Sequence, residues 1–225
     1  MTELIKTWST DPNKEDGMTG EHAWIWQEMI NVIPKHDLAT GRILDIGCNQ
    51  GGFLRMLYDQ RPFLSGVGID LAQDRVALAN AAKGDRPVEY VATTSLNDIG
   101  DGFDIAFSHE VIYLISDLQE HANQVAAALK PGGHYDAVTC CHANNPLWAR
   151  WRPTIAEFSN ISVPNHTVAD IASAFRKAGF DVSISRFLAN SYIPTEAPTD
   201  YFATDLERVE TYARWKLCFR CLKTS

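Results

Sequence analysis

The amino-acid sequence predicts an α/β fold in which one doubly wound sheet carries helices on both faces. Three observations support this: seven strand-like runs, helical patterns between most of them, and an apolar strand within residues 41–54 that runs directly into a glycine-rich turn and a new helix. The strand-like runs lie at residues 43–47, 66–70, 88–92, 103–108, 134–141, 180–187 and 214–222. A chain of 225 residues with 45% apolar and 21% charged side chains suffices for one well-buried core and is short for two. Residues 1–225 are therefore expected to form one domain.

Taken in order, Trp24, Ile25, Met29, Val32 and Ile33 recur at helical spacing and place an added helix in an extension, residues 1–38, ahead of the first strand. That stripe reads as core packing. After the first glycine-rich turn, Phe53, Leu54 and Leu57 mark the apolar face of a helix, and a second helix near residues 73–83 stops before Gly84. Ser116-Asp117-Leu118-Gln119 is a capping-box pattern, and Leu118, Val125 and Leu129 carry an apolar stripe to Lys130-Pro131-Gly132-Gly133, where helix gives way to strand. Thr167 opens a further helix with Ile171, Ala174, Phe175 and Ala178 inward, ended by Gly179 before the strand at Phe180. Two connections exceed simple turns: residues 142–166, with Trp148, Trp151 and three prolines, and residues 189–213, rich in acids and tyrosine. Connections of that size are commonly functional.

The formal charge of −8 and pI of about 5.3 offer no basic field for a polyanion, so nucleic acid is not an expected partner. The first residues lack the basic start and apolar region of a secretory signal, and no stretch has the uninterrupted apolar length of a membrane span. A cytoplasmic protein without a membrane partner is the expectation. Five cysteines, at 48, 140, 141, 218 and 221, cannot all pair, which favours reduced thiols. Cys218 and Cys221 form a Cys-x-x-Cys, but in a strand an offset of three puts the thiols on opposite faces, so no metal site is expected.

Within residues 41–54, Asp45 ends the strand and Gly47, Gly51 and Gly52 follow. Glycine lacks a Cβ and tolerates positive φ, so such a turn lets a nucleotide-like ligand approach the main chain. A dinucleotide register, Gly47-Asn49-Gly52, needs asparagine in place of the middle glycine. The alternative register, Asp45, Gly47, Asn49 and Gly51, resembles the first motif of the class I S-adenosylmethionine-dependent methyltransferases, an acid followed by glycines at alternate positions. The resemblance continues through a second strand ending at Asp70, a fourth strand over residues 103–108, the Leu129-Lys130-Pro131-Gly132-Gly133 turn, Ala178-Gly179-Phe180 and the final strand, about residues 40–222 in all.

This resemblance implies a Rossmann-like seven-stranded sheet, mostly parallel with the last strand antiparallel, and S-adenosylmethionine as co-substrate. It implies a cofactor-binding core over residues 39–141, with 142–166 and 189–213 as inserted segments on the substrate side. Asp45, Gly47, Cys48, Asn49 and Gly51 then belong to the cofactor turn, Asp70 and Leu71 to the ribose, Thr94, Ser95 and Leu96 to the adenine, and Ser108 to the end of strand four. Two positions depart from the family pattern. Asn49 replaces a glycine, and asparagine is the side chain that best accepts positive φ. Residues 91–96 lack the acid that many relatives place near the adenine amino group, leaving Thr93, Thr94 or main-chain groups near Ser95 and Leu96 to substitute.

Catalysis by such a fold is mainly alignment of a nucleophile behind an activated methyl. A base, where needed, belongs at the carboxyl end of strand four, which reads Ser108-His109-Glu110-Val111-Ile112-Tyr113. His109 is a candidate general base, Glu110 a candidate to orient it or to bind a cationic acceptor, and Tyr113 a third candidate; the alternative is that one of them anchors the following helix. His22, His142 and His166 read as surface residues. Trp148 and Trp151 can line an apolar or cationic pocket, and Arg150 and Arg152 can bind a carboxylate. The expected acceptor is a small molecule methylated on oxygen, nitrogen or carbon by a monomer or homodimer. The alternatives are a non-catalytic cofactor-binding protein of the same fold and a protein methyltransferase.

Overall fold

A computed structural model describes residues 3–11, 18–34 and 38–224, so part of the 1–38 extension lies outside the described residues. The elements are α1 (Met18–Val32), β1 (Arg42–Ile46), α2 (Gly52–Gln60), β2 (Ser65–Asp70), α3 (Gln73–Ala82), β3 (Val88–Ala92), β4 (Phe103–His109), α4 (Leu118–Ala128), β5 (Leu129–Thr139), α5 (Trp148–Phe158), α6 (Val168–Lys177), β6 (Phe180–Arg186), α7 (Asp205–Trp215) and β7 (Leu217–Lys223). They form one seven-stranded sheet in the order β3-β2-β1-β4-β5-β7-β6. β1 to β5 pair in parallel, whereas β7 runs antiparallel to both β5 and β6.

The strand sequences explain the two-sided burial. On β4, Ala106 joins the core with Leu44, Tyr135 and Phe175, while Ile105 and Phe107 join Ile43, Leu54 and Met29 in the core on the other face. This is the period-two alternation of a strand covered on both faces. Each large side chain so buried contributes about 1.5–3 kcal/mol. Cys218 and Cys221 fall into these two opposite cores, as their offset of three requires. Helix α1 buries Ile25 and Met29, and Ile33 just past its end is buried as well, but Val32 is exposed.

Several boundaries differ from expectation. The cap of α4 is Asp117, which accepts from Glu120 N at 2.9 Å, one residue beyond the Ser116 pattern. Strand β5 begins at Leu129 rather than 134, through a register shift opposite Phe103–Ile105 that absorbs the Pro131-Gly132 kink. Both long connections contain helix. In α5, Pro153 obscured the helical pattern. In α7 the start was legible: Thr204 caps the helix by accepting from Glu207 N at 3.1 Å, a Thr-x-x-Glu spacing.

Candidate active site

A cavity of about 1540 Å³ lies at the carboxyl ends of the parallel strands. It is centred where the order reverses between β1 and β4, the place where open α/β sheets bind ligands. Its floor comes from the turn after β1, the ends of β2 and β3, and residues 109–117 after β4. Aromatic walls come from Trp24 and Trp26 on α1, Trp151 and Phe158 on α5, Tyr201 and Phe202 before α7, and Tyr212 on α7.

The β1 turn forms one end of the cavity. Asn49 has φ 46°, the left-handed conformation its side chain accepts; its N–H donates to Asp70 Oδ2 at 2.9 Å and its Oδ1 accepts from Gln50 N at 2.8 Å. Asp70 Oδ1 accepts from Ala72 N at 2.9 Å, so the ends of β1 and β2 are clasped through one carboxylate. Gly47 and Gly51 adopt φ of 75° and 71°. The space they leave is filled by the protein itself. A Cβ on Gly47 would stand 2.3 Å from Val111 Cγ2, and one on Gly51 would stand 2.4 Å from Tyr90 Cζ. Gly51 does not line the cavity; it caps α2 and accepts at its carbonyl from the Tyr90 hydroxyl at 2.9 Å.

Asp45 lines the cavity and is 4% exposed, and its Oδ2 has no hydrogen-bond partner. Burial, followed by the nearby Asp70 carboxylate, pushes its carboxyl up to about 8. Burial likewise pushes the Cys48 thiol well up. Leu71, Thr94, Ser95 and Leu96 all line the cavity. Leu96 N–H donates to Gln124 Oε1 at 3.0 Å, and the Thr93 hydroxyl is tied to Asp98 and Ser95. Ser108 lies elsewhere. Strand alternation turns it toward the core, where its Oγ sits 2.6 Å from the Tyr135 hydroxyl.

His109, Glu110 and Tyr113 all line the cavity. Glu110 has φ 52° and is anchored by Thr139 Oγ1 at 2.7 Å, Cys140 N at 2.9 Å and Lys216 Nζ at 2.6 Å. Burial raises its carboxyl, but Lys216 and these hydrogen bonds outweigh burial and hold it below the usual range. Lys216 Nζ also lies 2.8 Å from His109 Nε2. Burial first, then Lys216 and His22, push His109 well down. Burial pushes the Tyr113 hydroxyl well up, and its ring meets Trp148 edge-on at 5.6 Å.

The other sequence candidates divide. His22 is no surface residue: it lines the cavity beside His109, with ring centroids 4.7 Å apart. His142 is buried and His166 half-buried, their Nε2 atoms 2.9 Å from Trp215 O and 2.7 Å from Ile115 O. Trp151 lines the cavity, whereas Trp148 is buried with its Nε1 donating to Asn165 at 2.9 Å. Arg150 and Arg152 bind Glu207, Tyr201 O and Val163 O rather than a ligand wall. The arginine that lines the cavity is Arg208, buried over the Phe202 ring at 4.7 Å and paired with Glu196. Lys216 and Arg208 were missed because nothing local in the sequence marks a buried cation.

An amino-terminal strand-like segment crosses the cavity. Ile5 N–H donates to Leu71 O at 3.0 Å and Gln73 N–H donates to Ile5 O at 2.8 Å. A few residues on, Thr10 N–H donates to Phe158 O at 2.7 Å and Asn160 N–H donates to Trp8 O at 2.9 Å. Trp8 and Ser9, between these anchors, line the cavity. Among the described residues, no cluster of His, Cys, Asp and Glu is placed to hold a metal ion, and no helix is long and apolar enough to cross a membrane.

Relatives agree with this architecture. The chain is 32% identical over 129 residues to the ubiquinone biosynthesis O-methyltransferase of Bartonella tribocorum, covering 56% of this chain and 49% of that protein. It is 32% identical over 94 residues to the protein of the same name from Brucella ovis, covering 41% and 38%. The chain thus spans less than half the length of these curated relatives. Among solved structures, a Haloferax volcanii protein in complex with the Trm112 methyltransferase activator superposes with a TM-score of 0.81, at 22% identity over 100% of this chain and 99% of that one. An S-adenosylmethionine-dependent methyltransferase from Mesorhizobium loti superposes with a TM-score of 0.66, at 22% identity over 90% and 97%. Residues 21–183 match the family described as a methyltransferase domain, and the chain belongs to that family.

Proposed function

We propose that the chain transfers a methyl group from S-adenosylmethionine to a small-molecule acceptor and releases S-adenosylhomocysteine in the cytoplasm. The observation that carries this reading is Asp45 Oδ2, a buried carboxyl oxygen without a partner at the wall of a large cavity. A polar atom so placed calls for a partner, and this cofactor brings a sulfonium and an ammonium that would favour its ionised form. Asp45, Gly47, Cys48 and Asn49 would hold its methionine part, Asp70 and Leu71 its ribose, and Thr94, Ser95 and Leu96 its adenine. When bound, the sulfonium supplies an already activated methyl; the protein orients the acceptor and excludes water.

At about 1540 Å³ the cavity exceeds the roughly 300–1,000 Å³ usual for one ligand, which leaves space for an acceptor beside the cofactor. Residues 142–166 and 189–213 form the acceptor side of a single domain, and no metal takes part. The names of the Bartonella and Brucella relatives support an oxygen acceptor, and the net charge of −8 disfavours nucleic acid. Calorimetry with S-adenosylhomocysteine, followed by its release from S-adenosylmethionine over a metabolite panel, tests the proposal. Failure to bind S-adenosylhomocysteine refutes it. A second reading, cofactor binding without turnover by the chain alone, is favoured by the Haloferax neighbour having been solved with an activator. Binding without turnover over the whole panel selects that reading.

A further inference from the structure

Resting on the methyl-transfer reading, we propose that Arg208 anchors the acceptor through a carboxylate, and that Glu196 fills this anchor until the acceptor arrives. Arg208, Tyr212 and Lys216 follow at intervals of four residues on one face of α7 and its exit, and all three line the cavity. The side chains of Arg208 and Lys216 are 9% and 2% exposed, and a cation so buried must be paired. Their partners differ. Lys216 meets Glu110, whose carboxylate is 17% exposed and also accepts from Thr139 Oγ1 and Cys140 N, so it is fixed by the sheet. Arg208 pairs with Glu196, whose side chain is 54% exposed and which comes from residues 187–204, a stretch without helix or strand. Water competes for an exposed carboxylate, so such a pair is weak and its acid is replaceable.

The position of the incoming carboxylate is marked by Glu196 itself. Glu196 also lines the cavity, and Arg208 Nη2 donates to its Oε1, so this N–H is aimed at a carboxylate standing on the cavity wall. Among the described residues Arg208 Nε and Nη1 meet no acceptor, which leaves donors for a second carboxylate oxygen. Exchange of one carboxylate for another leaves the charge of the site unchanged. The wall around it is aromatic: the guanidinium lies over the Phe202 ring at 4.7 Å, and Tyr212 and Trp151 meet Phe202 at 5.2 and 5.3 Å. The acceptor class that fits is therefore an apolar or aromatic body carrying a carboxylate. Lys216 touches His109 and Glu110 at the end of β4, and Arg208 stands just over two helical turns away, about 12 Å along the axis. The carboxylate is thus an anchor, and the atom that receives the methyl lies elsewhere on the acceptor.

The test uses protein saturated with S-adenosylhomocysteine and two probes of matched shape, 4-phenylbutanoate and 4-phenylbutanamide, titrated by calorimetry at pH 7. The carboxylate is expected to bind about tenfold tighter than the amide. Arg208→Gln should abolish that preference by weakening the carboxylate alone. Glu196→Gln changes an exposed side chain and removes the competing acid, so it should strengthen the carboxylate about threefold and leave the amide unchanged. A pair that served only to hold residues 187–204 in place would give no such gain. Equal affinities for the two probes, no binding of the carboxylate, a preference that survives Arg208→Gln, or no gain in Glu196→Gln overturns the proposal. Failure of the unaltered protein to bind S-adenosylhomocysteine instead brings down the methyl-transfer reading on which it rests.

Discussion

Replacing Asp45 by asparagine should stabilise the ligand-free protein while weakening its hold on the cofactor. The carboxyl rises from an ordinary 3.8 to about 8 through burial and then Asp70. Between those values the unfolded chain has lost the proton that the folded chain keeps, so stability falls as pH rises, by about 1.4 kcal/mol per pH unit. At pH 7 the accumulated cost is about 4 kcal/mol, and it is complete above pH 8. An asparagine side chain cannot ionise, so Asp45→Asn should raise the midpoint of thermal unfolding at pH 7 by roughly 10 °C and remove this slope.

The same carboxyl should report cofactor binding. A bound sulfonium or ammonium favours the ionised form, so at pH 7 the unaltered protein should release roughly nine-tenths of a proton on binding S-adenosylmethionine. Calorimetry in buffers of different ionisation enthalpy measures this directly, and Asp45→Asn should release none. Equal proton release by both proteins, or parallel stability profiles between pH 4 and 8, would refute the assignment of a cation to Asp45.

Further outcomes follow from single contacts. Asp70→Ala removes the acceptor of the Asn49 and Ala72 N–H groups and should weaken S-adenosylhomocysteine binding by at least ~1.5 kcal/mol in calorimetry. Unchanged affinity sinks the ribose assignment. Gly51→Ala forces a Cβ against Tyr90 at a φ of 71° and should cost about 3 kcal/mol in urea unfolding. A loss below about 1 kcal/mol would show that the turn and Tyr90 relax together. Ile5→Pro deletes the N–H that meets Leu71 O and should speed cofactor dissociation about fivefold in stopped-flow fluorescence, with little change in the urea midpoint.

The sheet was legible because each strand carries its own signal: alternating apolar residues, a turn glycine and a capping residue are local. The β1 turn was legible for the same reason, and Asn49 adopts the positive φ its residue type permits. The reason for the glycines was not. They make way for Val111 and Tyr90, partners 39 to 64 residues away in sequence that no local pattern connects to the turn. The wall of the cavity around Lys216 was least legible. Lys216 lies 107 residues from His109 and meets it only because β7 returns antiparallel beside β5. Thr204 with Glu207 was a readable helix start that the acidic, tyrosine-rich setting concealed.

The amino-terminal segment gives the cavity a kinetic property that its walls alone would not have. Residues 3–11 are stitched at one end to the exit of β2 and at the other to the close of α5, with Trp8 and Ser9 between the stitches. A ligand bound beneath such a strap would be held back to the extent that the strap must lift for it to leave. That local opening breaks a handful of main-chain hydrogen bonds and requires far less than global unfolding. Residence time would thereby separate from affinity for changes at the anchoring residues, such as Ile5, that leave the cavity-lining Trp8 and Ser9 in place.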